Sequence, residues 1–194
     1  MKKTLSLLAL TMFVLTCIGQ TNECSLRKVY FGITSSLCKT KETATFEDVG
    51  TIKGLKLISY SVRVFDLDAR LTYIFANDTL TRAKYTFNTT YVNKNNYISD
   101  FNAVKDKLQE KYGKPISDKI YWINDLYKND PKDYGLAISA GHVAYFTTFE
   151  TDCMTIILVL QGENFEITSG VEYSSKKYNE LEKRVKKNAE KDDY

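Results

Sequence analysis

The chain has only two prolines, nine glycines, one histidine and one tryptophan in 194 residues, and a net charge of +3. Each scarcity excludes something. With nine glycines and no glycine-rich run there is no phosphate-cradling loop. A balance of 27 basic against 24 acidic residues gives no general field for nucleic acid or anionic lipid, so neither is expected as a partner. Two of those positive charges, Lys2 and Lys3, lie in a segment expected to be removed. One histidine and no C-x-x-C pair leave no ligand set for structural zinc, and neither a metal nor a cofactor is expected.

What is abundant is the aromatic side chain, with 14 Tyr and 10 Phe. Tyrosine combines an apolar body with a wet tip, so a tyrosine-rich, proline-poor chain favours sheets with half-buried faces. The N-terminus, "MKKTLSLLALTMFVLTCIGQ", has a basic start, an apolar run from Leu5 to Ile18, and then small and polar residues. It reads as a secretory signal, with cleavage between Gly19 and Gln20; the rival reading makes Cys17 a lipidated first residue. Both imply export to the periplasm or cell surface, and no later run is long enough to span a membrane.

Export permits disulfides. Beyond Cys17 stand Cys24, Cys38 and Cys153, an odd number that allows one internal pair. The expected pair is Cys24 with Cys38; the alternative is that all three are small buried residues.

Along the chain a short helix is expected from Thr34 to Thr43, with Leu37 and Cys38 inward. A strand follows in "GLKLISYSVRVF", with Ile58, Tyr60, Val62 and Val64 on one face. In "YIFANDTLTRAKYTF", Tyr73 and Phe75 alternate into an Asn77-Asp78 turn, followed by Ala83, Tyr85 and Phe87; this reads as a hairpin whose outward Arg82, Lys84 and Thr86 are free to touch a partner. An amphipathic helix spans Asp100 to Tyr112, capped by Ser99 and stopped by Gly113. Strands then fall on "DKIYWIN", "VAYFTTFE", "MTIILVLQG" and "ITSGVEYSS", with a long loop through "DLYKNDPKDYGLAISAGH". Met154–Leu160 is apolar on both sides, as for a strand covered on both faces or at an interface. A charged helix occupies the tail and frays after about Asn188, with Tyr178, Leu181 and Val185 as its apolar stripe. Residues 59–75 lie over 144–160 without a gap as matched apolar positions, which suggests two similar halves.

The expected fold is therefore α+β: an antiparallel sheet with helices on one face, built as two tandem helix-meander halves. The boundaries are 1–19 for the signal, 20–92 and 93–175 for the halves, and 176–194 for the C-terminal helix.

Residues that could carry chemistry are dispersed. His142 and Cys153 read as strand-end residues rather than a nucleophilic pair. Asp66 and Asp68 mark a hairpin bend, and Asp125, Asp130 and Asp133 lack the glycine and terminal glutamate of a calcium loop. The better lead is the aromatic set Tyr121, Trp122, Tyr127 and Tyr134, suited to protein recognition or sugar stacking. The plain alternative is that Trp122 anchors its loop to the core.

The "YFGITSS" opening, the meander with "YIFANDTL" and the helix "DFNAVKDKLQEKYGKP" together resemble secreted proteins of unknown function from gut-dwelling Gram-negative bacteria. The helix-then-meander order is also similar to the SmpA/OmlA (BamE-like) and β-lactamase inhibitor protein group. That resemblance implies an envelope-assembly or protein-binding module with another envelope or extracellular protein as partner. The alternative is a carbohydrate-binding or hydrolytic protein with a site built from dispersed Asp, Tyr and Trp residues.

Overall fold

The computed structural model describes residues 24–192; the proposed signal segment, with Cys17, lies outside them. A small hairpin, β1 (Ser25–Leu26) and β2 (Val29–Tyr30), leads into helix α1 (Ser35–Lys41) and four strands, β3 (Thr45–Ile52), β4 (Leu55–Val64), β5 (Leu67–Ala76) and β6 (Thr79–Phe87). Helix α2 (Asn96–Tyr112) then precedes β7 (Ser117–Trp122), α3 (Tyr134–Ser139), β8 (Val143–Glu150), β9 (Met154–Glu163) and β10 (Glu166–Ser175), and α4 (Asn179–Asp192) ends the chain.

All eight long strands form one antiparallel sheet in the order β3-β4-β5-β6-β10-β9-β8-β7. Each half is a helix followed by a four-strand meander, and the two meanders meet through β6 and β10 with Tyr85 opposite Val171. The α+β fold read from the residues is the fold observed.

Alternation fixes which side chains point where. Ile58, Tyr60, Leu71, Tyr73, Phe75, Ala83 and Tyr85 of the first half join Val143, Tyr145, Phe149, Ile156, Leu158, Leu160, Val171 and Tyr173 of the second in one buried layer. Cys38 of α1, Phe101, Val104 and Leu108 of α2, and Ala137 and Ile138 of α3 cover this inner face. Helix α4 lies on the opposite, outer face, where Leu181 and Val185 meet Leu55, Leu57, Ile74 and Ala76. Gly54 makes that close approach possible: a β-carbon there would stand 3.2 Å from the Ala189 methyl, and its φ of +72° suits glycine.

Several elements differ from expectation. In α1 Cys38 is buried while Leu37 is exposed, because Thr34, whose side chain accepts from the Leu37 amide, sets the helix phase. Helix α2 begins a turn earlier than the Ser99 cap suggested. Its start is fixed by Asn95, whose amide oxygen accepts from the Gly135 N–H at 2.6 Å and whose amide nitrogen donates to Lys132. The long loop after β7 contains α3, too short to show a period yet with Ala137, Ile138 and Ser139 buried. Strand β3 was not foreseen: it is an edge strand with solvent on most positions and no clean alternation. Helix α4 continues to Asp192.

The disulfide joins Cys24 to Cys153, with Cα atoms 5.7 Å apart, and not Cys24 to Cys38. It ties the N-terminal hairpin to the β8–β9 turn, so the bond links the two halves. Cys38 is the free thiol among the described residues, and burial followed by the nearby Glu42 charge pushes it up to about 12.

Candidate functional site

Chemistry first requires that groups meet, and the dispersed residues that could carry it do not. His142 precedes β8 and Cys153 follows it, so the eight-residue strand holds them about 27 Å apart at about 3.4 Å per residue. Cys153 is in the disulfide. The His142 ring stacks on Tyr127, with centroids 5.6 Å apart, and its Nδ1 is buried without a partner. Asp66 pairs with Lys107, Asp68 with Arg63 at 3.0 Å, and Asp125 with Lys128 at 3.1 Å, all exposed. Among the described residues no group of three or more His, Cys, Asp or Glu could hold a metal ion.

The most elaborate polar cluster faces inward. Glu42 caps the end of α1 and accepts from Tyr73 Oη at 2.7 Å, from Arg27 Nε at 3.0 Å and Nη2 at 3.1 Å, and from the backbone N–H groups of Thr43 and Ala44. Burial alone would raise its pKa, but the Tyr73 and Arg27 hydrogen bonds outweigh burial and hold the carboxyl below its ordinary range. Burial, reinforced by the bond to Glu42, pushes the Tyr73 phenol far up. With its lone pairs occupied, Glu42 has no capacity left for a ligand. This network clamps the β1–β2 turn, through Arg27, onto the first meander.

The aromatic loop residues separate. Trp122 packs partly against the core with its ring 5.2 Å from Tyr134; Tyr127 packs on His142, and Tyr134 donates from its hydroxyl to the Lys128 carbonyl at 2.8 Å. These three hold the loop down. Tyr121, pointing the other way, is 49% exposed and meets Phe146 edge-on at 5.7 Å.

Arg82, expected to be free to touch a partner, is held within the chain. Its guanidinium bonds both carboxylate oxygens of Glu172 at 3.1 Å and Glu182 at 2.7 Å. Lys84 makes no ion pair among the described residues.

What remains is a face. On β8 and β9 the register places Phe146 opposite Val159 and Thr148 opposite Ile157. These four, with Tyr121 on β7, point away from the buried layer, and α4 covers only the first half of the sheet. Thus Met154–Leu160 is buried on one side and only half-buried on the other. At the β9–β10 end, Gln161, Glu163, Glu166 and Thr168 share this outer side and line an open polar cavity of about 650 Å³ with Ala140 and Gly141. Gly162 lets α3 approach here; a β-carbon on it would fall 2.2 Å from the Ile138 carbonyl oxygen. The apolar outer residues of β9 were legible in sequence, but the face is shared by strands distant in the chain.

No family model, curated protein or solved structure matches this chain.

Proposed function

We propose that this chain is an exported module that binds a protein partner on the outer face of β7–β10. One observation carries the reading: Ile157 and Val159 continue an apolar surface through Phe146 to Tyr121 on a sheet face that no helix of the described residues covers. A soluble chain gains nothing from half-exposed branched and aromatic residues side by side, whereas an interface centre does. The basic-then-apolar N-terminus and the disulfide between Cys24 and Cys153 support export, since such bonds persist in oxidising compartments. In this reading the helix-then-meander order of both halves is the order on which the resemblance to the SmpA/OmlA (BamE-like) and β-lactamase inhibitor protein group rests. No helix among the described residues is long and apolar enough to cross a membrane.

The test is affinity capture from envelope extract with wild type and with Phe146→Ser/Val159→Thr. These two side chains are only half-buried, so the fold should survive, as circular dichroism would verify. Loss of central apolar contacts should weaken capture at least about tenfold. Undiminished capture by a folded variant would place the interface elsewhere.

A second reading, carbohydrate binding, is favoured by the outer cavity. Glu163 and Glu166 stand directly opposite one another there beside Gln161 and Thr168, and amides with carboxylates suit sugar hydroxyls. Glycan binding that Glu163→Gln abolishes would favour it over the protein interface.

A further inference from the structure

The sheet has two ends, and they are not built alike. At one end β3 breaks register between Phe46 and Asp48. Its Glu47 is held by Arg70 at 2.7 Å and by the Ser61 hydroxyl, and Asp48 lies 3.9 Å from the same arginine. A bulge and adjacent acids are devices that keep an edge from pairing. At the other end β7 runs against β8 from Ser117–Thr148 to Trp122–Val143 without a register shift. Its outer row of backbone groups has no strand of the described residues beside it. Along this edge Ile116 is 62%, Ile120 53% and Ile123 78% exposed.

We propose that β7 is the site of self-association, pairing antiparallel with β7 of a second copy to form a two-fold dimer with one continuous sheet. Two features select a second copy over another occupant. One open edge and one guarded edge close at two subunits, so association stops at the dimer. The strand is also self-complementary in one register. Across a dyad perpendicular to the sheet, facing residues must lie on the same face of their strands. Near the strand's middle this leaves four alignments, and the one with Tyr121 on the dyad is set aside because it pairs only residues 120–122 of each strand. Of the other three, one opposes Asp118 to its own twin and another opposes Lys119 to its own twin, both like-charge pairs. The third puts Ile120 against its twin on the dyad and sets each Lys119 beside the Tyr121 ring of the other copy, a favourable cation–aromatic pair. Lys119 makes no ion pair among the described residues and is available for this contact. Asp118 is already held by Lys105 at 2.9 Å and by Thr147 at 2.7 Å within its own chain. This dimer does not rest on the partner interface proposed above, although the two share Tyr121 and the dimer would bring the two outer faces side by side.

The experiment is sedimentation equilibrium of the disulfide-bonded protein over a wide concentration range. Wild type should show a monomer–dimer equilibrium. Ile120→Lys puts two ammonium groups on the dyad and should leave monomer only, with the circular dichroism spectrum unchanged because Ile120 is half-exposed. Val49→Lys on the guarded edge should dimerise as wild type does. Facing Cα atoms in an antiparallel pair stand about 4.5–5.5 Å apart, within disulfide reach, so Ile120→Cys should cross-link under oxidation and Ile116→Cys should not. Monomer at every concentration, a dimer that survives Ile120→Lys, or equal cross-linking at both positions would each overturn the proposal.

Discussion

Arg82 on β6 and Glu182 on α4 are joined at 2.7 Å although a hundred residues separate them in the chain. Glu182 is also reached by Thr81 Oγ1 at 2.8 Å and Lys186 Nζ at 2.6 Å, so the buried carboxylate is nearly surrounded by donors. The pair fastens α4 to the outer face where Leu181 and Val185 alone would give a narrow apolar seam. Arg82→Ala should therefore loosen α4. Because Thr81 and Lys186 remain, the expected loss is about 2 kcal/mol, below the 3–5 kcal/mol typical when a buried charge is left alone. Urea unfolding measures it, and faster amide exchange confined to α4 locates it. Lys84→Ala, two residues along the same strand, should stay within about 0.5 kcal/mol.

Acid should reach the fold chiefly through its two buried carboxylates. Burial would raise Glu42 and Glu182, but the hydrogen bonds and charges around each win, and both are held below the ordinary 4.5. A depressed carboxylate binds its proton more readily when unfolded, so its contribution to stability is complete above the unfolded value and is lost as pH falls through the folded one. Stability should thus be flat from neutrality to about pH 5 and then decline below about 4.5. Glu42→Gln should flatten part of that decline while lowering stability at neutral pH. A pH-independent denaturation midpoint between 5 and 3 would remove these two groups as the cause.

The Cys24–Cys153 bond spans 129 residues. On chain-entropy grounds, closing so long a loop is worth up to about 5 kcal/mol. Cys24→Ser should lower the thermal midpoint strongly and free the β1–β2 hairpin, visible as new proteolysis before Gly32. Cys38, fully buried and with its thiol pushed up to about 12, should stay unreactive to thiol reagents until global unfolding. Labelling of Cys38 in the native, oxidised protein would contradict that placement.

Where one face of a strand is buried, the residues announced it at Ile58 to Val64 and at the Asn77-Asp78 hairpin, which alternate as found, whereas β9, apolar on both sides in sequence, is buried on one face and only half-buried on the other. Helix α2 carried its own stop in Gly113, whose φ is +81°. What could not be read locally depends on distant chain. Strand β3 is an edge with little burial to pattern it, and α3 is a single short turn made stable by Ile138 in the core. Arg82 looked free because its partners Glu172 and Glu182 lie about a hundred residues later. The cysteine pairing turned on a sheet that brings the β8–β9 turn beside the N-terminal hairpin. Spacing along the sequence holds no trace of that proximity. The outer face has the same origin: Tyr121, Phe146 and Val159 come from three strands, and each alone is an ordinary residue.

Neighbouring Tyr121 and Trp122 should separate binding from folding. Trp122 packs against the core and Tyr134 on the inner side, while Tyr121 lies on the outer face against Phe146. Trp122→Ala should cost about 2–3 kcal/mol, less than the 3–5 kcal/mol of a fully buried tryptophan because one side of the ring meets solvent. Its effect on partner capture, measured where the variant is still folded, should be small. Tyr121→Ala should reverse the pattern, with a stability change under about 1 kcal/mol but capture weakened together with that of the Phe146→Ser/Val159→Thr variant. Thermal melts and capture on the same preparations decide the matter: if Tyr121→Ala melts the fold while Trp122→Ala abolishes binding, the outer face is structural and the loop is the recognition surface.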